Sequence, residues 1–373
     1  MEMNNLILDI FAKSFNFIGS IVGIILIVFL IILYHVILFF IRDRKYIKAI
    51  KKHKDPDIVK IESLKEIPLV TIIIPAWNEG ESFRECLKSI TKLSYPKLEV
   101  ILNAGGSQET TEIAESFKNF ENFKILNQEK GGKLKAINQC LLYVSEGVVY
   151  LIDADVHLND EILLRMLFPI TNSQENVVIG GTRPKKNQED KDIVRYLKIN
   201  RDLNFRFKFS RYRKTHISGA NTCLKYDVIK SMNMFSTDKV YAVEVSQAND
   251  ILSKGYNIYR LIDYRGRIYT RVPETIREWG KQRIRWSENS LIYAIQENKK
   301  SLIKFSILFL LSLYLVFFPF LILIHISFFF IGLYLLLYLY LNKIRKVVFS
   351  KIVYKKYFKK LSFLFYVKIF FFT

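Results

Sequence analysis

Two stretches of this chain lack charged side chains for long enough to cross a lipid bilayer, and they constrain everything between them. Phe17–Ile41 gives about 25 such residues and Phe305–Leu341 roughly 37, against the ~20 apolar residues that span a hydrocarbon core of ~30 Å. The first predicts one membrane helix. The second is too long for one upright helix and predicts a hairpin of two short ones, turning between Pro319 and His325. Basic residues set the orientation. Arg42, Arg44, Lys45, Lys48, Lys51, Lys52 and Lys54 follow the first span whereas only Lys13 precedes it, and Lys343, Arg345, Lys346, Lys351, Lys355, Lys356, Lys359 and Lys360 follow the second. The excess of cations on the cytoplasmic side of membrane helices predicts a multi-pass protein of the cell membrane, with its polar middle in the cytoplasm. A cleaved signal peptide would have a shorter apolar core and an early basic cluster.

The expected organisation is a short extracytoplasmic N-terminus over 1–16, a transmembrane helix over 17–41, a basic cytoplasmic linker over 42–69 and a polar domain over 70–300. A transmembrane hairpin over 301–342 and a basic tail over 343–373 complete it. Within the tail, Leu361–Thr373 is too short to cross and is interrupted by Lys368, leaving an interfacial helix or a truncated span.

Composition agrees with one soluble domain plus membrane helices: the 373 residues are 50% hydrophobic and 14% aromatic, too apolar for an ordinary soluble protein. A net charge of +21 would point a soluble protein towards nucleic acid. Here much of the excess flanks the apolar segments, so the partner it predicts is membrane lipid. Arg183 to His216 interleaves basic and aromatic residues, as in Phe205-Arg206-Phe207-Lys208-Phe209, but no nucleic-acid module surrounds it and nucleic acid is not an expected partner. Cys86, Cys140 and Cys223 are scattered and without a CxxC spacing, which fits a reducing compartment.

Between the spans, strand-length apolar runs alternate with helix-period segments. Val70–Ile74, Glu99–Leu102, Phe123–Leu126 and Val148–Ile152 read as strands, and Glu81–Leu93, Glu109–Phe117 and Lys133–Tyr143 as helices. This order predicts an α/β fold with a mostly parallel sheet. In such sheets ligands bind beyond the carboxyl ends of the strands. The loops there are Pro75-Ala76-Trp77-Asn78-Glu79, Asn103-Ala104-Gly105-Gly106-Ser107 and Asp153-Ala154-Asp155. No GxGxxG opens the first helix and no Walker loop surrounds Lys133, so dinucleotide and P-loop readings lose their fingerprints. Asp153 and Asp155 can direct carboxylates to one hard cation, Mg2+ or Mn2+, whose shell diphosphate oxygens would complete. Further on, a helical Glu274–Ile295 would put Gln282, Arg285 and Trp286 on one face, combining a fork of donors suited to phosphate with a flat ring suited to a sugar.

PAWNE, GGKLKAIN, DAD, SGAN, a carboxylate before a Gly-Tyr turn, and QRIRW follow one another between Pro75 and Trp286, and membrane helices come next. The series resembles the membrane-embedded family 2 glycosyltransferases, among them cellulose, hyaluronan and poly-N-acetylglucosamine synthases. The resemblance implies a GT-A type nucleotide-sugar-binding domain flanked by N-terminal and C-terminal transmembrane helices. It implies donor contacts from Ala76, Glu79, Lys133, Asp153 and Arg285, metal binding by Asp155 with Asp153, and acceptor contacts from Gly219, Ala220, Asn221, Gln282 and Trp286. The general base falls on Glu244, eleven residues before Gly255, with Asp238 and Asp250 in reserve.

Two positions depart from the family pattern. Val243 stands where a glutamate usually precedes the base, and Ala104-Gly105 replaces an aspartate pair whose carboxylate reads the nucleobase, leaving that task to backbone groups. The expected activity is inverting, metal-dependent transfer from a nucleotide-sugar donor to a saccharide or lipid-linked acceptor at the membrane, building a polysaccharide. Single-sugar transfer to a polyprenyl phosphate or glycolipid is the alternative, and a non-catalytic membrane scaffold the alternative of another class.

Overall fold

The computed structural model describes residues 2–52, 59–204, 212–213, 216–237, 243–297 and 299–353. Phe205–Phe209, Asp238 and Leu361–Thr373 therefore lie outside the described residues. Contacts divide the chain into two compact units, Asp55–Ser290 on one hand and Met1–Lys54 with Leu291–Thr373 on the other.

The N-terminal and C-terminal segments form one unit. Helix α1 (Glu2–Ile18) leads into α2 (Ile21–Leu38), a π-helical turn (Phe39–Asp43) and α3 (Arg44–Lys52). The expected continuous span over 17–41 is thus broken at Gly19-Ser20. Ser20 supplies the physical reason, since its hydroxyl accepts the Gly23 N–H at 3.1 Å and caps a new helix.

Ile21–Lys48, through the π turn, and Ile326–Val353 are long and apolar enough to cross a membrane, with mean hydropathy 3.3 and 1.5 over the best windows. The latter segment forms one long helix that follows a turn over 318–325, close to where the sequence predicts one. Its Ser327 and Tyr334 hydroxyls donate to the carbonyls of Phe15 and Ile18 at 2.5 and 2.7 Å, tying it to the end of α1.

In the other unit, β1 (Val70–Trp77), β2 (Leu98–Gly105), β3 (Phe123–Asn127) and β4 (Val148–Leu151) form a parallel array. Helices α4 (Glu81–Ile90), α5 (Gln108–Glu115) and α6 (Lys133–Leu141) connect them in turn. Alternate residues of β1 serve opposite faces: Ile72 and Ile74 join the core containing Phe83, Leu87 and Leu163, while Ile73 joins the one containing Leu134, Ile137 and Ile251. A strand buried on both sides has no polar face, which is why it reads as a continuous β-branched run.

Short strands follow: β5 (Val156–His157), β6 (Val177–Ile179), β7 (Thr182–Pro184), β8 (Tyr212–Arg213), β9 (Thr222–Lys225), β10 (Ile258–Arg260) and β11 (Ile268–Thr270). Among the described residues, eight strands make a sheet of order β3-β2-β1-β4-β9-β6-β10-β8, and three make a second sheet of order β5-β11-β7. β9 runs antiparallel to both β4 and β6, a reversal the sequence did not announce. The order 3-2-1-4 reverses direction between β1 and β4, so the crevice where such folds bind ligands opens over the loops following those two strands.

The remaining helices are α7 (Asp160–Asn172), α8 (Asp192–Asn204), α9 (Tyr226–Met232), α10 (Val243–Ser253) and α11 (Ile276–Glu297) in chain order, then α12 (Lys299–Phe317) and α13 (Ile326–Val353).

Candidate active site

The crevice is acidic and pinned at several points. Asp153 leaves the end of β4 and Asp155 lies two residues on, just before β5. The hydroxyl of Thr270, on the adjacent β11, donates to Asp155 Oδ2 at 3.2 Å. Glu79, in the loop after β1, is fixed through its backbone: Thr110 Oγ1 accepts its N–H and donates to its C=O, each at 2.7 Å. Lys133, the first residue of α6, donates to Asp153 Oδ1, and to the carbonyl of Gly219 at 3.3 Å. The main chain of Glu244, at the start of α10, accepts the Ile217 N–H at 3.0 Å, drawing that helix onto the 217–221 turn.

Gly219 is where the two halves meet. A Cβ placed there would lie 2.8 Å from Glu244 Oε1 and 3.1 Å from Lys133 Nζ. A methyl group there would leave the backbone in place and displace the tips of these two flexible side chains, the carboxylate more than the ammonium. Gly219→Ala is accordingly expected to push Glu244 aside and lower kcat by roughly 10- to 100-fold, the scale of a sub-ångström to one-ångström misplacement of a reacting group. The melting temperature should change little, and steady-state kinetics alongside thermal unfolding check it.

The electrostatics follow from this crowding. Burial, then the charges of Asp155 and Asp153, raise the pKa of Glu79; burial, then Asp153, raise that of Asp155. For Lys133 burial acts to lower the pKa, but the charge and hydrogen bond of Asp153, with smaller contributions from Glu244 and Asp155, outweigh it and hold the ammonium above its ordinary value. Asp155 and Glu79 stay raised although Lys133 is bonded to Asp153 and Lys185 acts on Asp155, so these opposing carboxylates seek more positive charge. Among the described residues no group of three or more His, Cys, Asp or Glu could hold a metal by itself. The donor set, two hard carboxylates one residue apart, instead suits an ion that takes the rest of its shell from substrate phosphates and water, as Mg2+ commonly does.

Other residues singled out in the sequence have different settings. Ala76 is fully buried in the hydrophobic core, so its methyl group lines no open pocket. Asn221 is fully buried as well: its amide donates to the carbonyls of Gly181 and Gly266 at 2.9 and 3.0 Å and accepts the Tyr150 hydroxyl at 2.8 Å. Its side chain bolts the turn to the sheet, and contact with an acceptor would require dismantling those bonds. Ala220 is also buried.

Gln282, Arg285 and Trp286 lie on α11, as the spacing predicts. Gln282 is half-buried, Arg285 and Trp286 are exposed, and none of the three makes a side-chain hydrogen bond or ion pair among the described residues. The foot of α11 is anchored where Glu274 accepts bonds from Gln188 and Lys191 and where Trp279 meets Tyr196 edge-on, ring centroids 6.2 Å apart.

The glycine loop has a structural cause. A Cβ on Gly105 would come within 2.3 Å of the Gln128 carbonyl oxygen, so the position of Gln128 after β3 forbids any side chain there. Gly106 has φ +87°, and a Cβ on it would lie 2.8 Å from the ring of Trp77. The indole rests on this glycine and is 39% exposed at the crevice rim. No expectation from the sequence falls on Trp77, an aromatic that ends β1 two residues before Glu79.

The parallel β1–β4 array, its reversal point and the acidic loop following β4 define a GT-A-like α/β fold of the glycosyltransferase class. In solved structures the same fold occurs in a mannosyltransferase of Pyrobaculum calidifontis, in complex with GDP-Man and Mn2+, with TM-score 0.51 and 17% identity over 89% of this chain and 99% of that one. Residues 71–235 match glycosyl transferase family 2, and the chain carries a domain of that family.

A poly-β-1,6-N-acetyl-D-glucosamine synthase of Staphylococcus epidermidis is 25% identical over 262 residues, 67% of this chain and 59% of the relative. A probable glycosyltransferase of Bacillus subtilis is 26% identical over 243 residues, 61% of this chain and 57% of the relative. The matches thus span less than two thirds of these relatives' own length.

Proposed function

We propose that the protein is an inverting glycosyltransferase of the cell membrane, with its catalytic unit on the cytoplasmic side. It moves a sugar from a nucleotide-sugar donor to an acceptor hydroxyl and does so repeatedly, building a polysaccharide. The observation that carries this reading is the convergence on Gly219 of Lys133, itself paired with Asp153, and of Glu244, beside a second carboxylate at Asp155. Four chain segments far apart in sequence deliver a base, a cation and a cation-seeking pair to one crevice. The poly-N-acetylglucosamine synthase among the relatives favours an N-acetylhexosamine polymer.

Each side chain has a task in this reading. Asp153 and Asp155 would hold Mg2+ or Mn2+, which when bound supplies positive charge to the departing diphosphate. Lys133 adds a fixed ammonium beside it and holds Asp153 in place. Glu244 takes the proton from the acceptor hydroxyl as that oxygen attacks the anomeric carbon, a role that depends on reach before pKa. Trp77 offers a flat face to the nucleobase, where the family's usual aspartate is absent. Arg285 meets donor phosphate, and Gln282 and Trp286 meet the acceptor. Asn221 serves as scaffold for the Gly219 turn.

A screen of nucleotide sugars for release of free nucleotide, with and without Mg2+ or Mn2+, tests the proposal. Metal-dependent turnover of one donor and a polymeric product on a gel are expected. A single labelled lipid would instead support transfer to a polyprenyl phosphate or glycolipid, and no turnover with any donor would favour a scaffold.

A further inference from the structure

Where α2 passes into α3, the helix makes a π-helical turn over Phe39–Asp43, an irregularity often found at functional sites. Asp43 emerges from it fully buried and accepts a hydrogen bond from Arg345 of α13 at 2.7 Å, a pair separated by 302 positions in the chain. Arg345 is itself 7% exposed and also donates to Asn342 at 2.8 Å. A buried carboxylate is costly unless paired, and a pair so placed fixes register between helices more than it adds stability.

The consequence of that register is a concentration of charge. Asp43 is the only acidic residue in 39–52, and 326–353 contains none. Asp43 pairs with Arg345 and also lies 3.5 Å from Arg42 Nε, so no negative charge is left over; Arg44, Lys45 and Lys48 of α3 and Lys343, Lys346 and Lys351 of α13 flank the pair on two helices that pack together, and Arg44, Lys45, Lys48 and Lys351 are exposed. One helical turn before Arg44, Phe40 and Ile41 are 56% and 72% exposed. A ligand that offers apolar chains to Phe40 and Ile41 and phosphate to the lysines beside them is a phospholipid. Nucleic acid or a free nucleotide would leave the apolar side bare.

We propose that the Asp43–Arg345 pair assembles a composite site for the headgroups of anionic phospholipid, built from α3 and α13 together. The proposal rests on the reading of α2 and α13 as membrane helices. Its test uses the full chain reconstituted into vesicles of phosphatidylcholine alone, or of phosphatidylcholine and phosphatidylglycerol in equal amounts. The readout is the ratio of the two lipids retained on the protein after detergent extraction. Enrichment of phosphatidylglycerol by about tenfold or more is expected from several lysines near a surface. The triple change Lys45→Ala, Lys48→Ala, Lys351→Ala, confined to exposed positions, should bring the ratio close to one.

Asp43→Asn separates this proposal from simple charge counting. Removing a negative charge should raise retention of an anionic lipid if charge alone matters, whereas loss of the pair should let α3 and α13 part and lower it. The exchange variant Asp43→Arg, Arg345→Asp should restore it. Insertion into both vesicles without lipid preference, or an unchanged or higher ratio for Asp43→Asn, overturns the headgroup site alone. Failure to enter neutral vesicles at all removes the membrane reading and this site with it.

Discussion

Replacing Asp155 by asparagine is expected to slow sugar transfer by roughly three orders of magnitude and to stabilise the metal-free protein. The two effects share one cause. Burial, and then the neighbouring charge of Asp153, raise the pKa of Asp155, so the folded chain holds this proton more tightly than an unfolded chain does. Ionising the group therefore costs folding free energy. That cost is absent below the ordinary carboxylate range and fully present once pH exceeds the raised value, so stability falls as pH rises through this window.

Asparagine removes the charge, and its carbonyl oxygen can still accept the Thr270 hydroxyl that now donates to Asp155. In the presence of a chelator at neutral pH the melting temperature should rise by roughly 2–4 °C, the change that about 1 kcal/mol produces in a unit of this size. The gain should vanish as pH drops to the ordinary carboxylate range. Turnover should fall by roughly 10³-fold, as when several kcal/mol of charge stabilisation are withdrawn from a departing group. Added Mg2+ or Mn2+ should raise the melting temperature of the parent and not of the variant. A residue that merely braces β5 against β11 would give the opposite sign in the melt.

What could be read in the sequence divides near residue 152. Before it, each strand is four residues or more and each helix has two turns or more, enough for the periods of burial to register; the expected elements from Val70 to Ile152 all occur, displaced by a few residues at their ends. After it, β5 to β11 run two to four residues apiece, too short for alternation to be seen. The second sheet, which carries Thr270 to Asp155, was invisible for that reason.

The candidate site divides in the same way. Asp153 and Asp155 stand out because an apolar strand ends on them. Thr110 under Glu79 and Thr270 beside Asp155 act across 31 and 115 positions, and no local pattern encodes such pairings. Asn221 belongs to a motif suggestive of ligand, yet its setting among Tyr150, Gly181 and Gly266 depends on how β9 enters the sheet. The Asp43–Arg345 pair lay inside basic clusters that looked like uniform positive charge, and only the packing of α13 on the N-terminal helices singles those two residues out.

Glu244→Gln should reduce kcat by roughly 10²- to 10⁴-fold, the usual contribution of a positioned base, while donor binding changes little. Glutamine preserves shape and reach but cannot take a proton. Two further readouts distinguish a base from a neighbour that only shapes the pocket. The acid limb of the parent's pH–rate profile, where the base becomes protonated, should disappear from the residual activity of the variant. Lys133, whose pKa Glu244 helps to raise, should also lose its proton more readily, shifting its titration downwards.

Asp250 is the other carboxylate on α10, but its Oδ2 accepts the Ser236 N–H at 3.1 Å, and among the described residues no hydrogen bond or ion pair joins it to Gly219 or Lys133. Asp250→Asn should therefore cost stability through that weakened bond and leave the pH profile in its parental form. If the two variants exchanged these behaviours, the base would be Asp250, and the approach of Glu244 to the Gly219 turn would be a matter of packing alone.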